Sequence, residues 1–380
     1  NELDDSAILR WHQEKSEPHH LIRNVRRSLW SDSEKKKMHK NAASFWSKID
    51  NEKSLWLETF HKINSNDFDS SQISDKISII SEDDSATAAL LIEEAIKFED
   101  NDNFRIKAVD IAFERAEYEI AEEHLPMIED SPQKKLRLAR LCRINGDIDS
   151  ALSLEEEALS QLSAADKIRF TISMIVRKFD DRISRKIDNS LAREILNEIH
   201  QIDFQNLSDT DRFTAELTLN LLKHSIALET SDLTLASQSR TELEIILSDN
   251  EEYLKMLDLR AKLAISNTPE LLELTLESVN SFIQDTSDHL KKIGVIHSAL
   301  EVTKPNFPDW LIQYHDDLFQ EPMREDLAAY RRISAQCWYW RGIIHPNYRL
   351  SYWQEAIHRF RSAECNNAAN ELLEKLTRSI

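Results

Sequence analysis

Apolar residues recur at i, i+3, i+4 and i+7 along nearly the whole chain, and short polar turns interrupt them every 12–18 residues. That period lays one apolar stripe along an α-helix, whereas strands alternate with a period of two. Clear turns lie at 64–71, 100–103, 129–132, 145–147, 206–211, 248–250, 267–269 and 345–347. Helix-capping types open many of the segments that follow, among them Ser163, Asp209, Thr268 and Ser287. Short links between helices of this length force antiparallel neighbours, so the pattern predicts about sixteen to eighteen helices arranged as hairpins.

Composition strengthens this reading. The chain has three glycines, Gly146, Gly294 and Gly342, in 380 residues. Roughly 7% is usual. Tight hairpin turns and phosphate-cradling loops draw on glycine's freedom at positive φ. A many-stranded sheet, a P-loop, a GxGxxG loop and a GxSxG elbow are therefore excluded. Most of the eight prolines fall between candidate helices, and Pro126 ends or kinks the one it sits in.

One segment carries a recognisable repeat. Residues 132–165 read PQKKLRLARLCRINGDIDSALSLEEEALSQLSAA. Ala139 stands at a close helix approach, Gly146-Asp147 at a turn, and Ala151 and Ala158 in a second helix. This resembles a tetratricopeptide repeat, a 34-residue helix-turn-helix unit. Fainter copies follow the same scheme. Ala116 and Ala121 lie in 116–128, Ala236 in 231–247, and Ala356, Ala363 and Ala368 in 349–378, with Tyr352 and Trp353 at the large position. The resemblance implies an all-α fold, an α-solenoid of antiparallel hairpins wound as a right-handed superhelix. Such arrays expose a long groove that holds peptides or proteins.

Charge divides the chain. The net formal charge is −20, yet residues 10–48 carry a net +6. Within that stretch Arg23, Arg26, Arg27, Lys35, Lys36 and Lys37 form a candidate basic patch, interleaved with Trp30 and Trp46. The acidic remainder excludes a duplex-binding surface over most of the chain and favours a basic protein or peptide partner over nucleic acid. All eight tryptophans lie in residues 11–56 or 310–353. The C-terminal group accompanies arginines, and Arg331, Arg332, Trp338, Trp340, Arg341, Tyr348, Arg349 and Trp353 form a candidate partner-binding patch, since these types dominate interface hot spots. Composition thus suggests three regions: basic 1–65, acidic repeats 66–320, and an Arg/aromatic 321–380.

Catalytic and metal chemistry find no pattern. Glu-x-x-His occurs at Glu17/His20, Glu58/His61 and Glu355/His358, spacings that this glutamate content produces by chance. No cofactor or metal is expected. Cys142, Cys337 and Cys365 form no CxxC pair and read as buried free thiols of a reducing, cytoplasmic compartment. No apolar run is long enough for a membrane span. A start at Asn1 suggests a fragment or a processed chain. The expected function is a non-enzymatic scaffold or adaptor. The alternatives are a regulator with a nucleic-acid-contacting N-terminus and the helical part of a larger enzyme.

Overall fold

The computed structural model describes residues 9–12, 15–18, 30–49, 52–183, 186–320, 323 and 327–378. They form nineteen α-helices and one small hairpin, β1 (Leu9–His12) antiparallel to β2 (Lys15–Pro18) with Leu9 opposite Pro18. Two four-residue strands leave the fold all-α, as the sequence pattern predicted. Every other regular element among the described residues is a helix.

Packing divides the chain into two units, residues 1–130 and 131–380. The first unit holds α1 (Asp32–Trp46), α2 (Glu52–Ser65), α3 (Ser70–Asp83), α4 (Ser85–Phe98), α5 (Asp102–Glu114) and α6 (Tyr118–His124). Ile63, Ile77, Ile92 and Phe104, at most 1% exposed, centre its apolar core. Pro126 sits in a 3-10 turn directly after α6, which ends as expected.

The second unit begins with α7 (Pro132–Ile144), α8 (Ile148–Gln161), α9 (Ala164–Asp180), α10 (Asn189–His200) and α11 (Asp209–Thr230). It continues with α12 (Leu233–Ile246), α13 (Glu251–Ile265), α14 (Pro269–Asp285) and α15 (His289–Thr303). It closes with α16 (Asp309–Asp317), α17 (Ala328–Ile344), α18 (Arg349–Ser362) and α19 (Asn366–Thr377). One apolar cluster, built on Ile175, Ile195, Leu219 and Ile226, joins α9 to α11. A larger one, including Leu257, Phe282, Leu300, Trp340 and Phe360, joins α12 to α19.

Sequential helices pack as neighbouring pairs, and four pairs share one turn. Ala116, Gly146, Ser231 and Glu364 all adopt positive φ, at 57°, 82°, 59° and 61°. Each stands just past the end of its first helix. In each, the next residue's N–H donates back to a carbonyl five residues earlier: Glu117 to Ala112, Asp147 to Cys142, Asp232 to Ala227 and Cys365 to Phe360, at 2.8–2.9 Å. This Schellman arrangement satisfies carbonyls that the helix end leaves free. Five residues beyond each positive-φ residue stands a buried alanine: Ala121, Ala151, Ala236 and Ala369. A small side chain there lets the second helix lie close on the first. The last copy is thus one residue out from its expected register, with Glu364 rather than Ala363 at the turn and Ala369 in the close approach. Glycine occupies the turn once, at Gly146, where no atom lies within 4 Å of a built Cβ.

Helix starts follow a similar division. From α7 to α15 every N-cap side chain accepts a backbone N–H of its own helix: Ser131, Asp147, Ser163, Asp188, Ser208, Asp232, Asn250, Thr268 and Asp288. Ser163 and Thr268 match the sequence reading, while Ser208 and Asp288 displace the neighbouring Asp209 and Ser287. From α16 to α19 no N-cap side chain does so.

Candidate functional site

The second unit holds a cleft of about 880 Å³ between α8, α9 and α10, edged by the turn before α19. Each helix contributes residues spaced along one face. Ile148, Leu152 and Leu159 come from α8, Thr171 and Met174 from α9, and Leu191 from α10. Ile148 and Leu152 stay 42% and 51% exposed. Large side chains at that exposure on a concave wall leave apolar surface uncovered.

Charged groups surround this floor, and they are matched to one another. Glu155, buried beneath the cleft, accepts from Arg143 Nε at 3.0 Å, from Arg143 Nη2, and from Arg177 Nη2 at 3.2 Å. Burial, with Arg143 close by, pushes the Arg177 guanidinium below its usual range. Lys178 reaches Glu194 at 2.8 Å and Glu198 at 2.7 Å. Arg182 pairs with Glu229 at 2.9 Å and lies 4.2 Å from the Phe179 ring centroid.

The turn into α19 closes one side of the cleft across a long sequence separation. Arg140 Nε donates to Glu364 at 2.7 Å, and Asn366 Nδ2 donates to the Arg143 carbonyl at 3.2 Å. Asp181 accepts from the backbone N–H of Asn367 at 3.2 Å and of Ala368 at 2.9 Å. Asp181 thereby caps α19 from the far side of the cleft, in place of Cys365, whose thiol makes no cap. Burial raises the Asp181 carboxyl above its ordinary value despite these two donors. Burial also pushes the Cys365 thiol up to about 12. Arg332 completes the seam, donating to the Asp180 carbonyl at 3.0 Å and pairing with its carboxylate at 2.9 Å. Of these long-range partners only Arg332 was assigned to a site from sequence, as part of the Arg/aromatic patch, and here it is tied to Asp180. Their only sequence signal is an arginine or acid on the inner helix faces.

The Arg/aromatic residues chosen from sequence separate into interior and surface. Arg331, Trp340 and Trp353 are buried, at 4%, 3% and 8% exposure. Arg331 donates to the Ser362 carbonyl at 2.9 Å, and Trp353 Nε1 to that of Tyr339 at 3.1 Å. Gly342 is required beside this indole, because any Cβ there would run into Trp353. Arg341 stacks over Phe319 at 4.2 Å and faces Tyr352 and Trp338 at 5.0 and 5.5 Å. Arg349 lies 5.3 Å from the Trp353 ring, and Tyr348 projects at 64% exposure. The group therefore mixes core packing with a half-exposed aromatic face around Trp338 and Tyr348.

At the other end of the chain, Lys35, Lys36 and Lys37 are exposed on α1, and Lys35 sits 3.4 Å from Asp32. Arg23, Arg26 and Arg27 lie outside the described residues. Among the Glu-x-x-His pairs, Glu58 binds Lys62 and Lys76 while His61 meets His39 at 2.8 Å, and Glu355 pairs with Arg359. Glu17 and His20 have no described side chains. No group of three or more His, Cys, Asp or Glu among the described residues is placed to hold a metal ion. No disulfide joins the three cysteines, and Cys142 is only half-buried, contrary to expectation. No described helix is long and apolar enough to cross a membrane.

Comparison with family models, with curated proteins and with solved structures found no match to this chain.

Proposed function

We propose that this chain is a helical-repeat protein of the tetratricopeptide kind, a scaffold or adaptor that takes an apolar-faced peptide or protein segment into the cleft between α8, α9 and α10. One observation carries this reading. The charged residues around the cleft are paired with each other, while Ile148 and Leu152 remain half-exposed on its floor. What is left for a ligand is apolar area on three consecutive helices, the surface that receives an amphipathic helix in helix-in-groove recognition. The neutralised rim gives a basic segment no particular advantage there, so shape and apolar spacing set selectivity.

Panning a random peptide library on the full chain tests this. Peptides with an apolar face should enrich and bind at micromolar strength. Leu152→Asp should weaken them by about tenfold or more, since a carboxylate on that floor must be desolvated. Leu90→Asp, on the 74%-exposed Leu90 of α4, should leave binding unchanged. Absence of enrichment, or equal binding to the Leu152→Asp protein, defeats the proposal.

A further inference from the structure

A second cavity of the same unit, of about 390 Å³, lies where α11 and α13 end against α15. Its volume falls toward the lower end of small-ligand sites, about 300–1,000 Å³. Its chemistry sets it apart from the cleft. Arg260 lines it, has its Nε shut off from solvent, and makes no hydrogen bond or ion pair. Burial depresses the Arg260 guanidinium pKa, with Tyr253 and Glu229 acting on it from a distance. Glu229 is already committed to Arg182 at 2.9 Å. Across the same lining stands Glu301 of α15, which also makes no hydrogen bond or ion pair. The two do not neutralise each other, since no contact within 4.0 Å joins them. Nε is cut off without a partner while the side chain as a whole is only partly buried, so a group that enters the cavity can reach the guanidinium and supply what the chain does not.

The remaining lining narrows the ligand. Lys186 and Glu229 add one charge of each sign, so the cavity as a whole is balanced. Ser231 and Ser298 add hydroxyls, of which Ser298 already donates to the Gly294 carbonyl at 2.9 Å and so offers acceptor capacity. The C-terminal turns of α11 and α13 face this space, and helix C-termini carry partial negative charge that favours a cation. A simple anion would satisfy Arg260 but lie against Glu301 and both helix ends. A simple cation would do the reverse.

From this juxtaposition we infer that the cavity binds a small zwitterion of the α-amino-acid class, its carboxylate on Arg260 and its ammonium on Glu301. Guanidinium and carboxylate match as a two-point fork, and the ammonium gains Glu301. This site is independent of the peptide cleft and does not rest on it.

The test is calorimetric titration of the full chain with individual proteinogenic amino acids, alongside acetate, phosphate, the matching N-acetyl amino acids and the matching decarboxylated amines. At least one amino acid should bind at a single site. Its N-acetyl and decarboxylated forms should bind about tenfold more weakly or worse, as each loses one charged contact. Arg260→Met and Glu301→Gln should each lose affinity by a similar factor. Without ligand, Arg260→Met should not lower the unfolding temperature, because it removes an unpaired charge. The inference is overturned if no amino acid binds, if acetate or phosphate binds as well as the amino acid, or if either variant binds it like the parent chain. A drop in stability of unliganded Arg260→Met also overturns it, by revealing a structural partner.

Discussion

The first and last hairpins of the second unit, α7–α8 and α18–α19, share a turn but are anchored in opposite ways. Both close through the same backbone arrangement, and both place a fully buried alanine, Ala151 or Ala369, five residues beyond it. The last hairpin sinks into the large apolar cluster through Trp353, Ile357, Phe360, Leu372 and Leu376. The first contributes to neither apolar cluster of the unit. Charge and hydrogen bonds attach it instead: Glu155 between Arg143 and Arg177, and Arg140 on Glu364. Their helix starts differ in the same sense, since Asp147 caps α8 locally while α19 depends on Asp181. The difference teaches that a repeat motif fixes the hairpin, whereas the attachment of each hairpin is chosen separately. The charge-held hairpin supplies Ile148, Leu152 and Leu159 to the cleft, whereas the last hairpin gives it only the polar turn of Glu364, Asn366 and Asn367. An edge fixed by directional bonds can carry exposed Ile148 and Leu152 without collapsing them into a core.

The largest test of this contrast removes the hub. Glu155→Ala leaves Arg143 and Arg177 partly buried beside each other, and should cost about 3–5 kcal/mol, as breaking a buried charge pair does. Urea unfolding measures it. A cost under about 1 kcal/mol would mean that packing holds the first hairpin after all. A middle-sized effect probes what the two hairpins share. Ala158→Leu, at a position with no exposed surface, should overpack α8 and cost about 1–3 kcal/mol. An unchanged melting temperature would break the assigned helix approach.

The smallest effect concerns the turn. Gly146→Ala should cost about 1 kcal/mol, because φ of 82° is unfavourable for any residue with a Cβ. Ala116→Gly, at the same turn of the first unit, should move stability the other way by up to about 1 kcal/mol. Opposite signs in the two urea midpoints sharpen the equivalence of the turns. Equal signs end it.

Helical period, hairpin pairing and the small residues at Ala121, Ala139, Ala151, Ala158 and Ala236 were legible in the chain, because contacts within a hairpin join residues close in sequence. The scarcity of glycine was read correctly as excluding extended sheet, yet it did not exclude left-handed turns. Ala116, Ser231 and Glu364 adopt them because two backbone bonds and a buried helix pair hold them there. The one-residue error at Glu364 has the same origin: a glutamate at a positive-φ position carries no local signal.

The sequence by itself determined where helices run, which neighbours pair and which positions must be small, since spacing and side-chain volume act over a few residues. Tertiary structure alone decided that Arg140 meets Glu364, that Asp181 caps α19, that the tryptophans of residues 338–353 divide between core and surface, and that Arg260 and Glu301 face one cavity unpaired. Long charged side chains choose partners by position in space, and the chain folds those positions together from segments tens to hundreds of residues apart.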